Sequence, residues 1–177
     1  MNADRQLWEE FRLGDMKAFE TIYHRFYRRL YNYGYTIFAD KEVIKDCLHE
    51  LFLELWERRS RLSEVGNIHY YLLVSFRRRI IHSLNSRKRF DQAMASEPPE
   101  LSESSAEDRF IESERQFIFS ARFRATFRKL PLRRREAIYL RYYQRLSYSQ
   151  ISETMEIQYQ TVRDLISKGI KTLREQL

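Results

Sequence analysis

The chain contains very few of the residues that build disulfides, metal sites and phosphate-binding loops. Among its 177 residues are one cysteine, three prolines and four glycines that lie far apart. The single cysteine, Cys47, excludes an internal disulfide, and isolated glycines exclude a glycine-rich phosphate loop. The four histidines have no carboxylate or cysteine partner at ligand spacing. We therefore expect no metal, no other cofactor, no small-molecule ligand and no enzymatic activity.

Long apolar runs are also absent from the sequence. No stretch approaches the roughly 18 apolar residues of a membrane span, and the amino terminus lacks the apolar core of a signal peptide. Together with the single cysteine, these absences predict a protein of the reducing cytoplasm. Because no run of alternating apolar residues is long enough for a sheet, we expect an all-α fold.

Charged residues divide the chain into three blocks. Residues 1–90 contain 17 Lys and Arg against 12 Asp and Glu, residues 91–115 contain 2 against 8, and residues 116–177 contain 13 against 5. A polyanion is attracted to the two ends and repelled by the middle. The middle block also holds two of the three prolines and five serines, which is typical of a flexible acidic linker between two small helical domains. This linker is either a plain spacer or a mimic of nucleic acid that occupies a basic channel of a partner.

The segment from Leu146 to Glu175 has the pattern of a DNA-reading helix-turn-helix. Ser147 and Gln150 can form a capping box for the first helix, and a second run of helical periodicity begins after Gln158. The residues on its outer face are polar and basic: Tyr159, Gln160, Thr161, Arg163, Asp164, Ser167, Lys168 and Lys171. Such side chains bind base edges near the helix start and phosphates along its length. A helical hairpin with a merely solvated polar face is the alternative.

Four helices are expected in the first block, and two of them have unusual outer faces. The third, near residues 41–59, places Trp56 among acidic residues, which is one way that a protein surface anchors a partner. The fourth, near residues 67–89, interleaves aromatic residues with arginines, as a surface for single-stranded DNA requires. A solvated charged face is the alternative for the third helix.

Three motifs, in this order, resemble the extracytoplasmic-function sigma factors of bacterial RNA polymerase. They are KDCLHELFLELWERRSRL at residues 45–62, NIHYYLLVSFRRRIIHSLNSRKR at residues 67–89, and the stretch from KLPLRRREAIYL to ISKGIKTLRE at residues 129–175. The resemblance implies a subunit that binds core RNA polymerase and directs it to promoter DNA. It also implies an anti-sigma factor, membrane-anchored or soluble, as a further partner.

The resemblance assigns a role to each block and to individual residues. The resemblance implies that residues 1–90 form a sigma region 2-like domain and that residues 116–177 form a sigma region 4-like helix-turn-helix domain. Residues 91–115 would be the linker between them. The core polymerase-binding residues would be Asp46, Glu50, Phe52, Glu54 and Trp56. Those that open and read the −10 element would be Arg61, Ser63, Asn67, Tyr71, Arg77, Arg78, His82 and Arg87. The outer face of the last helix would read the −35 element.

The sequence departs from the family pattern at the turn before the last helix. Glu156 stands where a turn glycine is usual, and Gln158 where a serine cap is usual. We therefore expect some loss of local stability and a slightly different entry of the last helix into the groove.

Two other kinds of function are alternatives to that of a sigma factor. A stand-alone helix-turn-helix regulator would bind duplex DNA, as a dimer, and would use its first domain for a ligand or for dimerisation. A regulator of this kind would not explain why the first domain has both the basic run at residues 77–89 and the surface around Trp56. A purely structural helical module would leave both basic blocks unexplained.

Overall fold

The computed structural model describes residues 3–38, 40–93 and 121–176 of the chain. These residues form helices without any β-strand, so the predicted all-α fold is confirmed. The chain divides into two compact units, Met1–Pro99 and Glu100–Leu177. Most of the sequence-predicted linker, residues 94–115, lies outside the described residues.

The described residues of the first unit form four α-helices. They are α1 (Ala3–Arg12), α2 (Met16–Phe38), α3 (Lys41–Glu57) and α4 (Ile68–Ala93), with a short 3₁₀ turn, Arg59–Arg61, between α3 and α4. The start of each of the last three helices has a side-chain oxygen that accepts a backbone N–H. The bonds run from Lys17 N to Asp15 Oδ1 at 2.7 Å, from Val43 N to Asp40 Oδ1 at 3.0 Å, and from Tyr70 N to Asn67 Oδ1 at 2.9 Å. These caps satisfy donors that a helix start leaves unpaired.

The core of the first unit lies between α2, α3 and α4. Its largest buried aliphatic and aromatic side chains from these helices include Ile22, Phe26, Leu30, Tyr33 and Ile37 of α2, Ile44 and Leu48 of α3, and Leu72 and Phe76 of α4. Burial of each such side chain contributes about 1.5–3 kcal/mol. Trp8 of α1 is also buried, and its indole Nε1 donates to the carbonyl oxygen of Ser63 at 2.9 Å. This bond fixes α1 to the loop that leads into α4.

In the second unit, the described residues 121–176 form four α-helices and one π-helical segment. They are α5 (Ala121–Lys129), α6 (Leu132–Ile138), the π-helical segment Tyr139–Tyr143, α7 (Tyr148–Met155) and α8 (Tyr159–Gln176). The predicted capping box is present, because Gln150 N donates to Ser147 Oγ at 3.2 Å and Ser147 N donates to Gln150 Oε1 at 2.9 Å. Helix α8 packs against α5, α6 and α7.

Helix α8 approaches α6 closely at Gly169, where a side chain would require Ile138 to shift. A Cβ atom built on Gly169 would lie 2.6 Å from Cδ1 of Ile138. Val162, Ile166 and Leu173 are buried on the same side of α8. Because these four positions follow helical spacing, the opposite side of α8 faces solvent.

Two turns of the second unit hold a residue other than glycine in the left-handed conformation. Arg145 has φ 57° and Glu156 has φ 56°. This conformation costs a residue with a Cβ atom on the order of 1 kcal/mol. Glu156 is the C-cap of α7, so the expected strain at the turn before α8 has a specific backbone origin.

Candidate polymerase-docking and nucleic-acid surfaces

The outer face of α3 carries most of its acidic residues. Asp46, Glu50, Glu54 and Glu57 follow one another at intervals of three or four residues, so their side chains share one side of the helix. Asp46 and Glu50 are exposed and Glu54 is half-buried. Leu53 belongs to the same side and is 52% exposed. Leu53 is not among the residues predicted to bind polymerase, although its spacing from Glu50 and Glu57 places it on the outer side of α3.

Arg79 of α4 binds two carboxylates of α3. Its Nη1 atom lies 3.1 Å from Oε2 of Glu50, and its Nη2 atom donates to Oε2 of Glu54. Glu54 also pairs with Arg58 at 2.9 Å. The sequence analysis did not single out Arg79, because the register between α3 and α4 cannot be read from either helix alone. The pairs hold the carboxylates of the acidic face against α4.

The two aromatic residues predicted to bind polymerase occupy different environments. Phe52 is 3% exposed, and its ring centroid lies 4.8 Å from that of Tyr23 in α2. Trp56 is half-buried, with its ring 5.1 Å from Phe19 and the guanidinium of Arg59 4.1 Å above it. Part of Trp56 thus remains at the surface, whereas Phe52 packs under the acidic face.

Several residues predicted to handle the −10 element lie at or before the start of α4. Arg61, Ser63 and Asn67 are exposed, and the side chain of Asn67 is the cap described above. Tyr71 is half-buried, with its ring edge-on to Trp8 at 5.4 Å. The structure therefore brings these four residues to the end of the unit where α1 meets the loop.

The predicted arginines of α4 do not share one face. Arg77 is 8% exposed, whereas Arg78 and His82 are exposed and lie one turn apart. The side chain of Arg87 lies outside the described residues. An alternation of aromatic residues and arginines cannot indicate which arginine faces inward, because that depends on how α4 packs on α2 and α3.

A buried histidine near the start of α4 carries no charge at neutral pH. Burial, together with the positive charges of Arg29 and Arg25, lowers the pKa of His69 to about 4. Its ring stacks on Phe26 of α2, with centroids 5.9 Å apart. His69 therefore acts as a core residue, and the positive charge of α4 comes from arginine and lysine.

The outer face of α8 is exposed along its whole length. All eight residues predicted to read the −35 element are exposed: Tyr159, Gln160, Thr161, Arg163, Asp164, Ser167, Lys168 and Lys171. The amide of Gln160 donates to Asp164 Oδ1 at 3.3 Å, which orders two polar groups at the start of the helix. Lys171 lies 3.9 Å from Glu175 on the exposed surface, and such a pair leaves the lysine largely available to a stronger anion.

An aromatic and basic cluster adjoins the start of α8, and the sequence analysis missed it. The ring of Tyr148, the first residue of α7, lies 5.8 Å from that of Tyr159. The guanidinium of Arg141 lies 4.9 Å above Tyr148, and its Nη1 donates to the carbonyl oxygen of Leu146 at 2.9 Å. No local sequence signal joins these residues, because they meet only when the π-helical segment, α7 and α8 pack together.

The described residues contain no candidate for a bound metal ion or a membrane span. No group of three histidine, cysteine or acidic residues in residues 3–38, 40–93 and 121–176 could hold a metal ion. Within the same ranges, no helix is both long enough and apolar enough to cross a bilayer.

Two family models match the chain, one in each unit. The model for sigma-70 region 2 matches residues 22–90, and the model for sigma-70 region 4 matches residues 120–173. The first match includes α3 and most of α4, and the second includes α8 up to Leu173. The matches therefore cover both candidate surfaces and lie in the family's order.

Curated relatives and a solved structure agree with these matches. The chain is 24% identical over 168 residues to the ECF RNA polymerase sigma factor SigK of Mycolicibacterium vanbaalenii, covering 91% of this chain and 82% of that protein. It is also 24% identical to the protein of the same name from Mycobacterium sp. strain JLS, over 90% of this chain and 83% of the relative.

In fold, the chain resembles the sigma factor RpoE of Bartonella quintana, whose structure was solved in complex with the anti-sigma factor NepR. The TM-score is 0.69 at 16% identity, and the match covers 90% of this chain and 96% of the other. Taken with the two family models, these likenesses confirm the resemblance drawn from the three sequence motifs. The chain belongs to the sigma-70 family and is a sigma factor of the extracytoplasmic-function type, which directs the initiation of transcription.

Proposed function

We propose that this sigma factor docks on core RNA polymerase through α3, opens and reads the −10 element with the loop before α4 and α4 itself, and reads the −35 element with α8. The exposure of all eight outward residues of α8, opposite a tightly packed side, is the observation that carries this proposal. In this proposal, core polymerase catalyses RNA synthesis, and the sigma factor acts with it in the cytoplasm.

The division of labour follows the three blocks of charge. Residues 1–90 bind polymerase and the −10 element, residues 116–177 bind the −35 element, and residues 91–115 connect them. The match to sigma-70 region 2 supports the first assignment and the match to region 4 the second. A stand-alone regulator has no use for a region 2 domain.

The docking surface combines acidic and apolar groups on α3. Asp46, Glu50 and Glu54 supply negative charge, while Leu53 and the exposed part of Trp56 supply apolar contact. A partner surface with basic groups around an apolar centre complements this pattern. Phe52 contributes from below, because its ring supports the helix that presents these residues.

On α4, the proposed contacts to the opened −10 strand depend on exposure. Arg78 and His82 are exposed on neighbouring turns and can reach phosphates or bases, and Arg61 and Ser63 border the same helix start. Arg77 supports this surface from its packed position. An unpaired strand offers both phosphates and base faces, so arginine can bind it by charge and by stacking.

An anti-sigma factor is the further partner that we propose. The structural neighbour from Bartonella quintana was solved with its anti-sigma factor. A protein that covers the exposed charged faces of α3 or α8 would prevent both docking and promoter reading.

Two substitutions on α3 are expected to weaken polymerase binding in different ways. Leu53→Ser removes an exposed apolar contact, so the affinity for core polymerase should fall about tenfold while thermal stability is unchanged. Trp56→Ala should lower the affinity about thirtyfold or more and should also lower the melting temperature, because Trp56 packs on Phe19. Fluorescence titration with core polymerase and thermal melts of the free chain provide the measurements.

The matched control for the docking surface is Leu13→Ser. Leu13 is 88% exposed in the turn after α1, so the same change is made away from α3. It should leave polymerase affinity intact. Full affinity of both α3 variants would show that α3 is not the docking surface.

Promoter opening should depend on Arg78 through direct contact. Arg78→Ala is expected to reduce the permanganate reactivity of unpaired thymines several-fold in holoenzyme complexes, on a promoter selected from a randomised library, without changing thermal stability. Arg77→Ala should also reduce the thymine reactivity. Unlike Arg78→Ala, it should lower the melting temperature as well, because the side chain of Arg77 is packed inside the unit. Lys17→Ala, which removes an exposed charge of α2, is the control. Normal thymine reactivity with Arg78→Ala would contradict the assignment.

At the −35 element, Arg163 and Lys168 should differ in what they recognise. Arg163 is near the start of α8, and Arg163→Ala is expected to relax the preference for one base pair by about 1–3 kcal/mol. Lys168→Ala should instead weaken binding on every sequence alike and reduce the salt dependence by about one phosphate contact. Binding titrations on matched and mismatched −35 duplexes at several salt concentrations distinguish the two effects. An equal loss on every sequence with Arg163→Ala would mean that Arg163 binds only phosphate.

A further inference from the structure

Arg145 occupies a backbone conformation that favours glycine, yet it carries a long charged side chain. It lies in the turn between the π-helical segment and α7, with φ 57°, and is exposed. No hydrogen bond or ion pair of its guanidinium is found within the described residues. This conformation lowers the local stability of the turn, and no hydrogen bond or ion pair of the Arg145 side chain to another described residue offsets the loss.

The turn that holds Arg145 is tied to the start of the −35 helix by a continuous set of contacts. Leu146 N donates to the carbonyl oxygen of Leu140 at 3.0 Å, and the carbonyl oxygen of Leu146 accepts from Arg141 at 2.9 Å. Arg141 lies over Tyr148, and Tyr148 packs against Tyr159 at the first position of α8. The backbone beside Arg145 is therefore fixed relative to the residues that are proposed to enter the major groove.

A charged group at this position has a natural ligand once α8 lies in the groove. The sugar-phosphate strands border the major groove, so residues flanking a recognition helix meet phosphates. Guanidinium binds a phosphate through two parallel hydrogen bonds, and it needs no base contact to do so. Arg145 is exposed, is not paired within the described residues and lies in the turn that these contacts connect to the start of α8, which suits this role.

We propose that Arg145 contacts a DNA phosphate next to the −35 surface and extends that surface from α8 to the turn before α7. Arg141 and Tyr148 are positioning residues that hold this turn against Tyr159. The proposal rests on the proposed −35 reading by α8. It adds a residue whose role is to set the orientation of the domain on DNA and not to select bases.

Glu156 provides a matched control, because it has nearly the same φ in the other turn of the unit and carries the opposite charge. Both Arg145→Gly and Glu156→Gly should keep or raise the melting temperature, since glycine adopts this conformation without strain. Arg145→Gly alone should weaken DNA binding several-fold and reduce the slope of log affinity against log salt by about 0.9, the value for one phosphate contact on duplex DNA.

The experiment uses holoenzyme assembled from core polymerase and each full-length variant, titrated onto a promoter selected from a randomised library over a range of KCl concentrations. Arg145→Lys should restore the slope. Arg133→Gln, which removes an exposed charge on α6, should leave the slope unchanged, because α6 packs on the buried side of α8. An unchanged slope with Arg145→Gly, or an equal reduction with Arg133→Gln, would overturn the proposal.

The result also separates this proposal from the proposed function. If wild-type holoenzyme selects no −35 sequence, the reading by α8 fails and the Arg145 contact fails with it. If it selects a −35 sequence and Arg145→Gly binds that promoter with an unchanged salt slope, only the Arg145 contact is wrong.

Discussion

The contact between α3 and α4 is the constraint on which the first unit depends. Buried residues such as Leu48 and Phe76 supply the packing energy, and Arg79 then binds Glu50 and Glu54 across the two helices. Partly exposed ion pairs contribute only about 0–1 kcal/mol, so their main effect is to set the register of one helix on the other. That register presents the proposed polymerase-docking face and the proposed −10 helix on a single rigid body. A sigma factor needs this coupling, because the opened strand must be held in a fixed relation to the polymerase.

In the second unit, close packing of α8 against α6 holds the proposed −35 helix in place. Gly169 lets α8 lie against Ile138 of α6, and the capping box of Ser147 and Gln150 fixes where α7 begins. Because one side of α8 is buried by this packing, the polar and basic residues on its other side are exposed to solvent. The left-handed turn at Glu156 then sets the angle between α7 and α8 at some cost in stability.

Local sequence signals predicted the features that depend on one helix alone. Periodicity and capping residues predicted the four helices of the first unit, the helix pair α7 and α8, the capping box and the exposed face of α8, because each depends on neighbours a few residues apart. The packed positions of Phe52 and Arg77, the pairing of Arg79 and the cluster of Arg141 with Tyr148 depend on contacts between helices. No spacing within one element reports such contacts, so the sequence could not distinguish an exposed arginine from a buried one. The roles of the individual residues in binding polymerase and DNA remain predictions.

The central claim is that this chain gives core RNA polymerase the ability to start at specific promoters. A run-off transcription assay tests it most directly, with core polymerase and a library of promoter templates in the presence and absence of the full-length chain. We expect discrete transcripts only when the chain is present, from templates that share a −35 and a −10 element at fixed spacing. Equal transcription with and without the chain, or binding of the chain to DNA without any effect on core polymerase, would contradict it.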